Sequence, residues 1–220
     1  MYEYNGITFH WTGHDGFKIT AEGKTIYIDP YQLGPNHAKK NDADIILISH
    51  NHFDHLSVQD LKQVASEKST LIVSAKEGTD QLAKAGVAAE VKGVHPGDRV
   101  DAKGVAVEAV PAYNTNKNYH PKADRKVGFV IRLAGMRVYH CGDTDEIPEM
   151  SSINPDIALV PVSGTYVMTA EEAAHAVNER IKPKRLAIPM HYGAIVGSEK
   201  DADKFKELVK ACPVQILSRE

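Results

Sequence analysis

Four potential metal ligands follow a single apolar strand within eight residues of its end. The apolar run Ile45–Ile48 is typical of a buried strand and leads into these ligands: His50, His52, Asp54 and His55. In an extended or turning segment, alternate side chains project to the same side, so the first two histidines can face one cation while Asp54 and His55 turn toward a neighbouring one. Neutral imidazole binds borderline metals such as zinc, and a carboxylate adds a harder oxygen ligand. The segment therefore predicts half of a two-metal site.

Polar residues also follow other predicted strands. Five strands lead into such residues: Ile45–Ile48 into His50, residues 105–110 into Tyr113 and Asn114, residues 137–141 into Asp143 and Thr144, residues 157–162 into Ser163 and Thr165, and residues 185–190 into His191 and Tyr192. In sheets covered by helices, the loops after the strands converge at one edge. We expect one active edge built from these loops.

Periodicity and turn residues predict the remaining elements. Short β-rich runs at residues 7–11, 17–21 and 25–29, separated by glycines, predict an antiparallel meander. After residue 44, strands alternate with helical segments, which is typical of a sheet covered by helices. The helices are predicted at residues 57–66, 76–85, 170–181 and 200–211. Residues 127–133 and 137–141 predict a hairpin, and residues 214–218 a last strand.

Length and composition limit the class of protein. A chain of 220 residues, 42% of them hydrophobic, predicts one domain over residues 1–220. A net charge of -3 and a pI near 6.4 give no basic field, so we expect no nucleic-acid partner. The cysteines Cys141 and Cys212 lack C-x-x-C spacing, and no membrane span or signal peptide is visible, so we expect a cytoplasmic protein. The sequence leaves the oligomeric state open, including a homo-oligomer.

The strand-end residues fall into three motifs: His50-x-His52-x-Asp54-His55, Gly142-Asp143-Thr144 and Pro189-Met190-His191-Tyr192-Gly193. Together they resemble the metallo-β-lactamase superfamily, in its branch of small metal-dependent hydrolases related to ascorbate-6-phosphate lactonase. The segments Trp11-Thr12-Gly13-His14 and Ile28-Asp29-Pro30 extend the resemblance through nearly the whole chain. The resemblance implies an α/β fold, specifically a single-domain, four-layer αββα sandwich with metals at one rim between two sheets.

The resemblance also implies a ligand set. His50 and His52 would bind a first metal. Asp54, His55 and His191 would bind a second. Asp143 would bridge both. The expected cofactor is Zn²⁺, as one or two ions, with Mn²⁺ or Fe²⁺ as alternatives.

One ligand of the first metal departs from the family pattern. Relatives commonly place a third histidine after the strand at residues 105–110, where this chain reads Ala112-Tyr113-Asn114. His14 and His120 are equal candidates for the vacancy. Asn114 ranks below them because an amide oxygen is a weak ligand for borderline metals. A single-metal site is the remaining alternative.

Two further features bear on the site. Asp29, at a strand end, is predicted to orient a ligand histidine, whereas His140 is interpreted as a core residue. The long polar loop at residues 113–126 carries four basic side chains: Lys117, Lys122, Arg125 and Lys126. Such a loop could attract an anionic substrate group, or it could be a solvated surface.

These observations predict a metal-dependent hydrolase acting on a small-molecule substrate. A metal-bound hydroxide would attack an ester, lactone or phosphodiester of a small anionic metabolite. Asp54 would orient the attacking water, and Tyr192, Thr165 or His120 would stabilise the oxyanion. The alternatives are an iron-dependent oxidoreductase of the dioxygenase type and a non-catalytic metal-binding module.

Overall fold

The apolar runs of the sequence form two mixed β-sheets that face each other. The computed structural model describes residues 1–66, 70–87 and 89–220, and thirteen strands within these ranges belong to the two sheets.

The first sheet contains seven strands in chain order. They are β1 (Tyr2–Tyr4), β2 (Ile7–Gly13), β3 (Gly16–Ala21), β4 (Lys24–Ile28), β5 (Ile45–Ile48), β6 (Leu71–Ala75) and β7 (Glu90–Val94). Strands β1 to β4 pair antiparallel, which confirms the predicted meander, and β4 to β7 pair parallel. Parallel neighbours need crossover connections, which contain the helices α1 (Val58–Val64) and α2 (Thr79–Lys84).

The second sheet contains six strands. In chain order they are β8 (Arg99–Ala102), β9 (Val105–Pro111), β10 (Val127–Leu133), β11 (Met136–His140), β12 (Ile157–Pro161) and β13 (Leu186–Met190). Strands β8 to β11 pair antiparallel, and β11 to β13 pair parallel. Helix α3 (Ala170–Ala176) lies in the connection from β12 to β13, and α4 (Glu199–Leu208) follows β13.

The main core lies between the two sheets. Fully buried apolar side chains from both sheets form it: Phe9, Ile19, Ile26, Ile45, Leu47, Phe129 and Ile131. On β5, Ile46 and Ile48 point to the opposite face and pack with Leu61 and Leu82 of the helices. Burial of each such side chain contributes about 1.5 to 3 kcal/mol. The layers are helix, sheet, sheet, helix, which confirms the predicted sandwich and single domain.

Local sequence signals set the helix starts. The Ser57 hydroxyl oxygen accepts a hydrogen bond from the Asp60 amide at 3.4 Å, so Ser57 caps α1 as predicted. Thr169 and Glu172 form the predicted capping box of α3. That helix continues through a wider π turn at Val177–Ile181, which completes the predicted helix at residues 170–181.

Four predicted boundaries need correction, and one of them is the helix predicted at residues 200–211, which begins at Glu199 and ends at Leu208 as α4. The predicted strand at residues 214–218 is wrong, because only Val214 pairs with a neighbour, Ala187. Helix α1 ends at Val64 rather than Ser66. The predicted helix at residues 76–85 is divided into a 3₁₀ turn at Lys76–Gly78 and the short α2.

Strand directions decide where the site lies. Strands β9, β11, β12 and β13 run in the same direction, so the loops that follow them meet at one edge of the second sheet. The loop after β5 of the first sheet contributes to the same place, as its contacts below show. Within the described residues, no helix is both long enough and apolar enough to cross a membrane.

Candidate metal centre

Three histidines form a first cluster. These are His50 and His52, after β5, and His120, in the loop after β9; their ligand atoms lie within 4.8 Å of one another. His52 Nδ1 lies 3.0 Å from His50 Nε2 and 3.2 Å from His120 Nε2. His50 and His120 are buried, whereas His52 is exposed. The cluster thus presents three imidazole nitrogens to one point.

A second cluster lies beside the first. It contains Asp15 from the β2–β3 turn, His55 after β5 and His191 after β13, all of them buried. Asp143, after β11, completes this group of four. We call Asp15, His55 and His191 the second cluster and treat Asp143 separately, because it contacts both groups.

Asp143 directs one carboxylate oxygen toward each cluster. Its Oδ2 lies 3.3 Å from His120 Nε2 and 3.9 Å from His50 Nε2. Its Oδ1 lies 3.4 Å from both His55 Nε2 and His191 Nε2. A carboxylate in this position has the geometry of a bridge between two ions.

The spacing of these atoms fits tetrahedral metal coordination. With metal–nitrogen bonds of about 2.0 to 2.1 Å, two ligand atoms of a tetrahedral zinc lie about 3.3 to 3.4 Å apart. The contacts within the first cluster, at 3.0 and 3.2 Å, and those of Asp143 Oδ1 with His55 and His191, at 3.4 Å, are close to that value. Moreover, His55 Nε2, His191 Nε2 and Asp143 Oδ1 are buried without a hydrogen-bond partner in the described structure. Buried polar atoms without partners are unfavourable, and a metal ion would satisfy all three.

Hydrogen bonds on the far side of the imidazoles fix their orientation. The Nδ1 atoms of three histidines have oxygen partners: Asp29 Oδ2 for His55 at 2.9 Å, Ser49 Oγ for His50 at 2.9 Å, and Ser163 Oγ for His191 at 2.8 Å. When Nδ1 carries the proton and donates it to such an oxygen, Nε2 keeps the lone pair that a metal needs. The prediction that Asp29 contacts a ligand histidine is confirmed in its geometry.

Desolvation lowers the pKa of each histidine in the first cluster, including His52, whose ring is partly covered although the residue is exposed. The pKa of His50 lies well below the ordinary value. Neutral imidazoles have a free lone pair at neutral pH, so these three need not lose a proton before they bind a metal.

Charges in the second cluster depend on one another. Burial alone would lower the pKa of His55, but Asp143 and the hydrogen bond to Asp29 raise it well above its usual value. Burial alone would raise the pKa of Asp143, but His191 and His55 hold it well below its usual value. Burial and the neighbouring Asp143 raise the pKa of Asp15. A cation bound at the second cluster would replace the proton of His55 as the positive charge that pairs with Asp143 and Asp15.

The structure distinguishes the candidates for the vacant ligand position. His120 joins His50 and His52, as described above. His14 lies on the other side, where its ring centroid is 4.0 Å from that of His191 and its Nε2 is 3.0 Å from Asp54 Oδ2. His14 therefore does not face the first cluster, so the expectation that it supplies the third ligand of the first metal is wrong.

Asn114 has a different role from the one considered for it. Its side-chain amide donates a hydrogen bond to the Tyr166 carbonyl oxygen at 2.7 Å, and its backbone amide donates to the His120 carbonyl oxygen at 2.8 Å. The second bond joins residues 114 and 120, so the intervening loop is closed and His120 lies at the same sheet edge as Asn114. Asn114 thus positions His120.

Two predicted catalytic residues have different surroundings. Asp54 lines the cleft above the clusters and accepts the hydrogen bond from His14. Tyr192 is buried, packs against Trp11 with ring centroids 4.6 Å apart, and borders a separate cavity. Because its ring is turned away from the cleft, we remove Tyr192 from the candidate catalytic set. Thr165 is also not among the residues that line the cleft.

Sequence reasoning missed Asp15. This residue is fully buried, and neither carboxylate oxygen has a hydrogen-bond partner in the described structure. His140, interpreted as a core residue, is buried beneath it and has Nε2 2.9 Å from the Asp15 carbonyl oxygen. The only signal in the sequence is the position of Asp15 beside His14 in the turn between two glycines.

Four residues of the centre have strained backbones. His14, Asp29, His120 and His191 have φ values of 52°, 41°, 52° and 60°. Non-glycine residues in this region cost about 1 to 3 kcal/mol each, and they concentrate at functional sites. The surrounding fold therefore holds these side chains in place against local strain.

A cleft of about 580 Å³ opens onto the first cluster and Asp143. Its walls include His52, Asp54, His120 and Asp143, together with four apolar or aromatic side chains: Phe53, Tyr119, Tyr166 and Ile195. Phe53 and Tyr119 are 67% and 49% exposed, so they are available to contact a ligand.

The basic loop beside the cleft is held in ion pairs. Lys117 contacts Asp145, Lys122 Nζ lies 2.9 Å from Glu149 Oε1, and Lys126 Nζ lies 3.0 Å from Glu77 Oε1. These lysines stabilise the protein surface, and none of them lines the cleft. Neither expectation for the loop holds in full, because Lys117 and Lys126 are held in ion pairs with little exposure to solvent, and no lysine of the loop lines the cleft.

Comparison with known proteins adds to this geometry. A family model described as a β-lactamase superfamily domain matches residues 8–191. A UPF0173 metal-dependent hydrolase from Pelotomaculum thermopropionicum is 36% identical over 228 residues, with 96% of each chain covered. A solved structure from Parabacteroides distasonis is 32% identical, with a TM-score of 0.79 and coverage of 97% of this chain and 94% of its own. Igni18, a metallo hydrolase from Ignicoccus hospitalis, is 25% identical, with a TM-score of 0.78 and coverage of 96% and 95%.

Proposed function

The chain belongs to the β-lactamase superfamily and, within it, to the UPF0173 metal-dependent hydrolases, and from this premise we propose that it hydrolyses an ester, lactone or phosphodiester of a small metabolite at a dinuclear centre. The observation that carries the proposal is the position of Asp143, with one oxygen toward each histidine cluster.

The two clusters would hold the metals. His50, His52 and His120 would bind the first ion, and His55 and His191 the second, with Asp143 shared between them. The predominance of imidazole ligands favours Zn²⁺ over Mn²⁺, while Fe²⁺ stays an alternative. When bound, such a dication lowers the pKa of a coordinated water toward about 7 and polarises the scissile group.

Asp54 is the proposed group that orients the attacking water. Its carboxylate lines the cleft and accepts a hydrogen bond from His14. Burial alone would raise the pKa of Asp54, but the hydrogen bond from His14 lowers it, so the carboxylate is ionised at neutral pH. An ionised carboxylate can hold a water by accepting one of its protons.

The cleft walls suggest which part of the substrate lies beside the scissile bond. Phe53, Tyr119, Tyr166 and Ile195 provide apolar surface, and the nearby lysines are paired with carboxylates. We therefore favour an apolar or aromatic group over the anionic group expected from the sequence. The relationship to ascorbate-6-phosphate lactonase remains a prediction.

The alternatives differ in measurable ways. The non-catalytic alternative depended on the missing third histidine, and His120 now supplies a candidate for that ligand. The oxidoreductase alternative would require iron and oxygen uptake, whereas the hydrolase would turn over esters with zinc in the absence of oxygen.

The test compares Asp143→Asn with Asp80→Asn, the same change at an exposed position of α2. Metal-free protein is reloaded with Zn²⁺ and assayed on p-nitrophenyl esters, a γ-lactone and bis(p-nitrophenyl) phosphate. We expect Asp143→Asn to lose at least one metal equivalent and turnover of whichever substrate class the wild type accepts, because a neutral amide cannot bridge two cations. Asp80→Asn should match the wild type. Full metal content in Asp143→Asn, or no turnover of any substrate by fully loaded wild type, would contradict the proposal.

A further inference from the structure

A third group of potential metal ligands lies outside the catalytic centre. It consists of His10 on β2, His37 in the connection from β4 to β5, and Glu220, and we call it the third cluster. The ligand atoms of these residues lie within 4.8 Å of one another. His10 Nδ1 is 2.9 Å from Glu220 Oε2, and His37 Nε2 is 3.5 Å from the same oxygen.

The third cluster is separate from the catalytic centre. The side-chain hydrogen bonds and ion pairs described for it connect its members to one another and to the amino group of Met1. None of its members lines the cleft or belongs to the first or second cluster. A ligand bound here would therefore be additional to the catalytic metals.

His37 is the residue that points to a ligand. It is only 3% exposed, and neither of its ring nitrogens has a hydrogen-bond partner in the described structure. Its contact with Glu220 is longer than the usual hydrogen-bond distance of about 2.7 to 3.2 Å. A buried imidazole normally satisfies at least one nitrogen, so this ring lacks a partner that the protein itself does not supply.

The one carboxylate of the cluster, Glu220, pairs with the Met1 amino group through Oε1 at 2.5 Å, and its Oε2 faces the two imidazoles. Two imidazoles and one carboxylate form the ligand set of many three-ligand zinc sites, in which water occupies the fourth position. The nearest other cation on the paired strand, Lys18, has its ammonium group 2.6 Å from Asp42, so its charge is already balanced. The contacts of Glu220 Oε2 at 2.9 and 3.5 Å lie on either side of the tetrahedral ligand spacing of about 3.3 to 3.4 Å.

We propose that His10, His37 and Glu220 bind a Zn²⁺ ion, with water in the fourth position. The three ligands belong to segments that are far apart in the sequence. One ion would therefore fasten the β4–β5 connection and the segment that contains Glu220 to strand β2.

The test counts metal equivalents in His37→Ala, in Glu220→Gln and in the control His175→Ala, which replaces a histidine outside all three clusters. Each full-length protein is stripped with a chelator, reloaded with Zn²⁺, passed through gel filtration and measured by elemental analysis. We expect one equivalent fewer in His37→Ala and in Glu220→Gln than in the wild type and the control, with ester turnover unchanged. Co²⁺ loading should show the same loss as a reduced d–d absorbance.

Circular dichroism shows whether each variant is folded, and Glu220→Gln provides the answer if His37→Ala does not fold, because it keeps the side-chain shape. Wild-type zinc and cobalt content in folded Glu220→Gln would overturn the proposal. If the folded variants lost turnover as well as one metal equivalent, the third cluster would not be separate from the catalytic centre.

Discussion

Asp29 contacts His55 of the second cluster without belonging to that cluster, and Asp29→Asn is the substitution that tests this contact. The fully buried carboxylate accepts hydrogen bonds from the Ser49 amide at 2.8 Å and from the Ser49 hydroxyl at 2.5 Å. Its Oδ2 also lies 2.9 Å from His55 Nδ1. All three partners donate, so the site requires an acceptor on both carboxylate oxygens.

An asparagine can satisfy only part of this arrangement. If its oxygen accepts from the Ser49 amide, its NH₂ group faces His55 Nδ1 and favours the tautomer with the proton on Nε2, the atom that faces Asp143. If the amide is turned over, its NH₂ group meets the Ser49 amide, and two donors face each other. The first arrangement impairs metal binding by His55 directly, whereas the second leaves the Ser49 amide, six residues before His55, without its acceptor.

Loss of such a supporting contact typically reduces metal affinity by about 10- to 100-fold, or about 1.4 to 2.7 kcal/mol. Competition with a chromophoric zinc chelator measures this change for the more weakly bound ion. The control is Asp44→Asn, since Asp44 accepts a backbone hydrogen bond from Thr25 at 2.9 Å at the opposite end of β5. An affinity in folded Asp29→Asn equal to that of Asp44→Asn would refute the reasoning.

Three further predictions concern other groups. His120→Ala should lower metal affinity at the first cluster at least 10-fold, because it removes a proposed ligand. His14→Ala should retain both ions but lose turnover, because Asp54 loses its hydrogen-bond donor. Wild-type zinc affinity in both variants would exclude His120 as a ligand. Burial alone would lower the pKa of His55, but Asp143 raises it in the metal-free protein, so metal binding must release the His55 proton at neutral pH. Metal affinity should therefore increase with pH, and calorimetry in buffers of different ionisation enthalpy should detect the released proton. Binding heats that do not depend on the buffer would contradict the charge assigned to His55. Burial raises the pKa of Cys212 to about 11 and also raises the pKa of Cys141. Maleimide labelling of the native protein at pH 8 should therefore be about 100-fold slower than labelling of a free thiol with a pKa near 9. Rapid labelling of either cysteine would show that its burial is wrongly assigned.

Local patterns explain which parts of the fold were predictable. The strands β2 to β5 and β9 to β13 have continuous or alternating apolar residues, and their positions follow from the sequence to within one or two residues. Strands β1, β7 and β8 are short and partly exposed, so their pattern is weak. Residues 214–218 have the composition of a strand, but strand formation also needs a partner, and only Val214 has one.

The site shows the same division between local and long-range information. The proposed ligands His50, His52, His55 and Asp143 lie in the loops that directly follow strands, so their spacing from those strands predicts that they meet at one edge. His120 could not be distinguished from His14 because its position depends on a closed loop, in which the Asn114 amide bonds the His120 carbonyl oxygen.

The burial of Asp15 and the ion pairs of the loop lysines also could not be predicted from the sequence. No sequence motif identified Asp15, and only the structure shows its buried carboxylate without a hydrogen-bond partner, 3.8 Å from His55 Nδ1. The lysines of the loop at residues 113–126 looked like an anion site, because their carboxylate partners, such as Asp145 and Glu149, are distant in the sequence.

A crystal structure with anomalous scattering collected on both sides of the zinc edge tests the dinuclear centre most directly. We predict two anomalous peaks in the catalytic centre, one bound by His50, His52 and His120 and the other by His55 and His191, with Asp143 contacting both. A single peak in fully loaded protein, or two peaks without Asp143 between them, would contradict the dinuclear account.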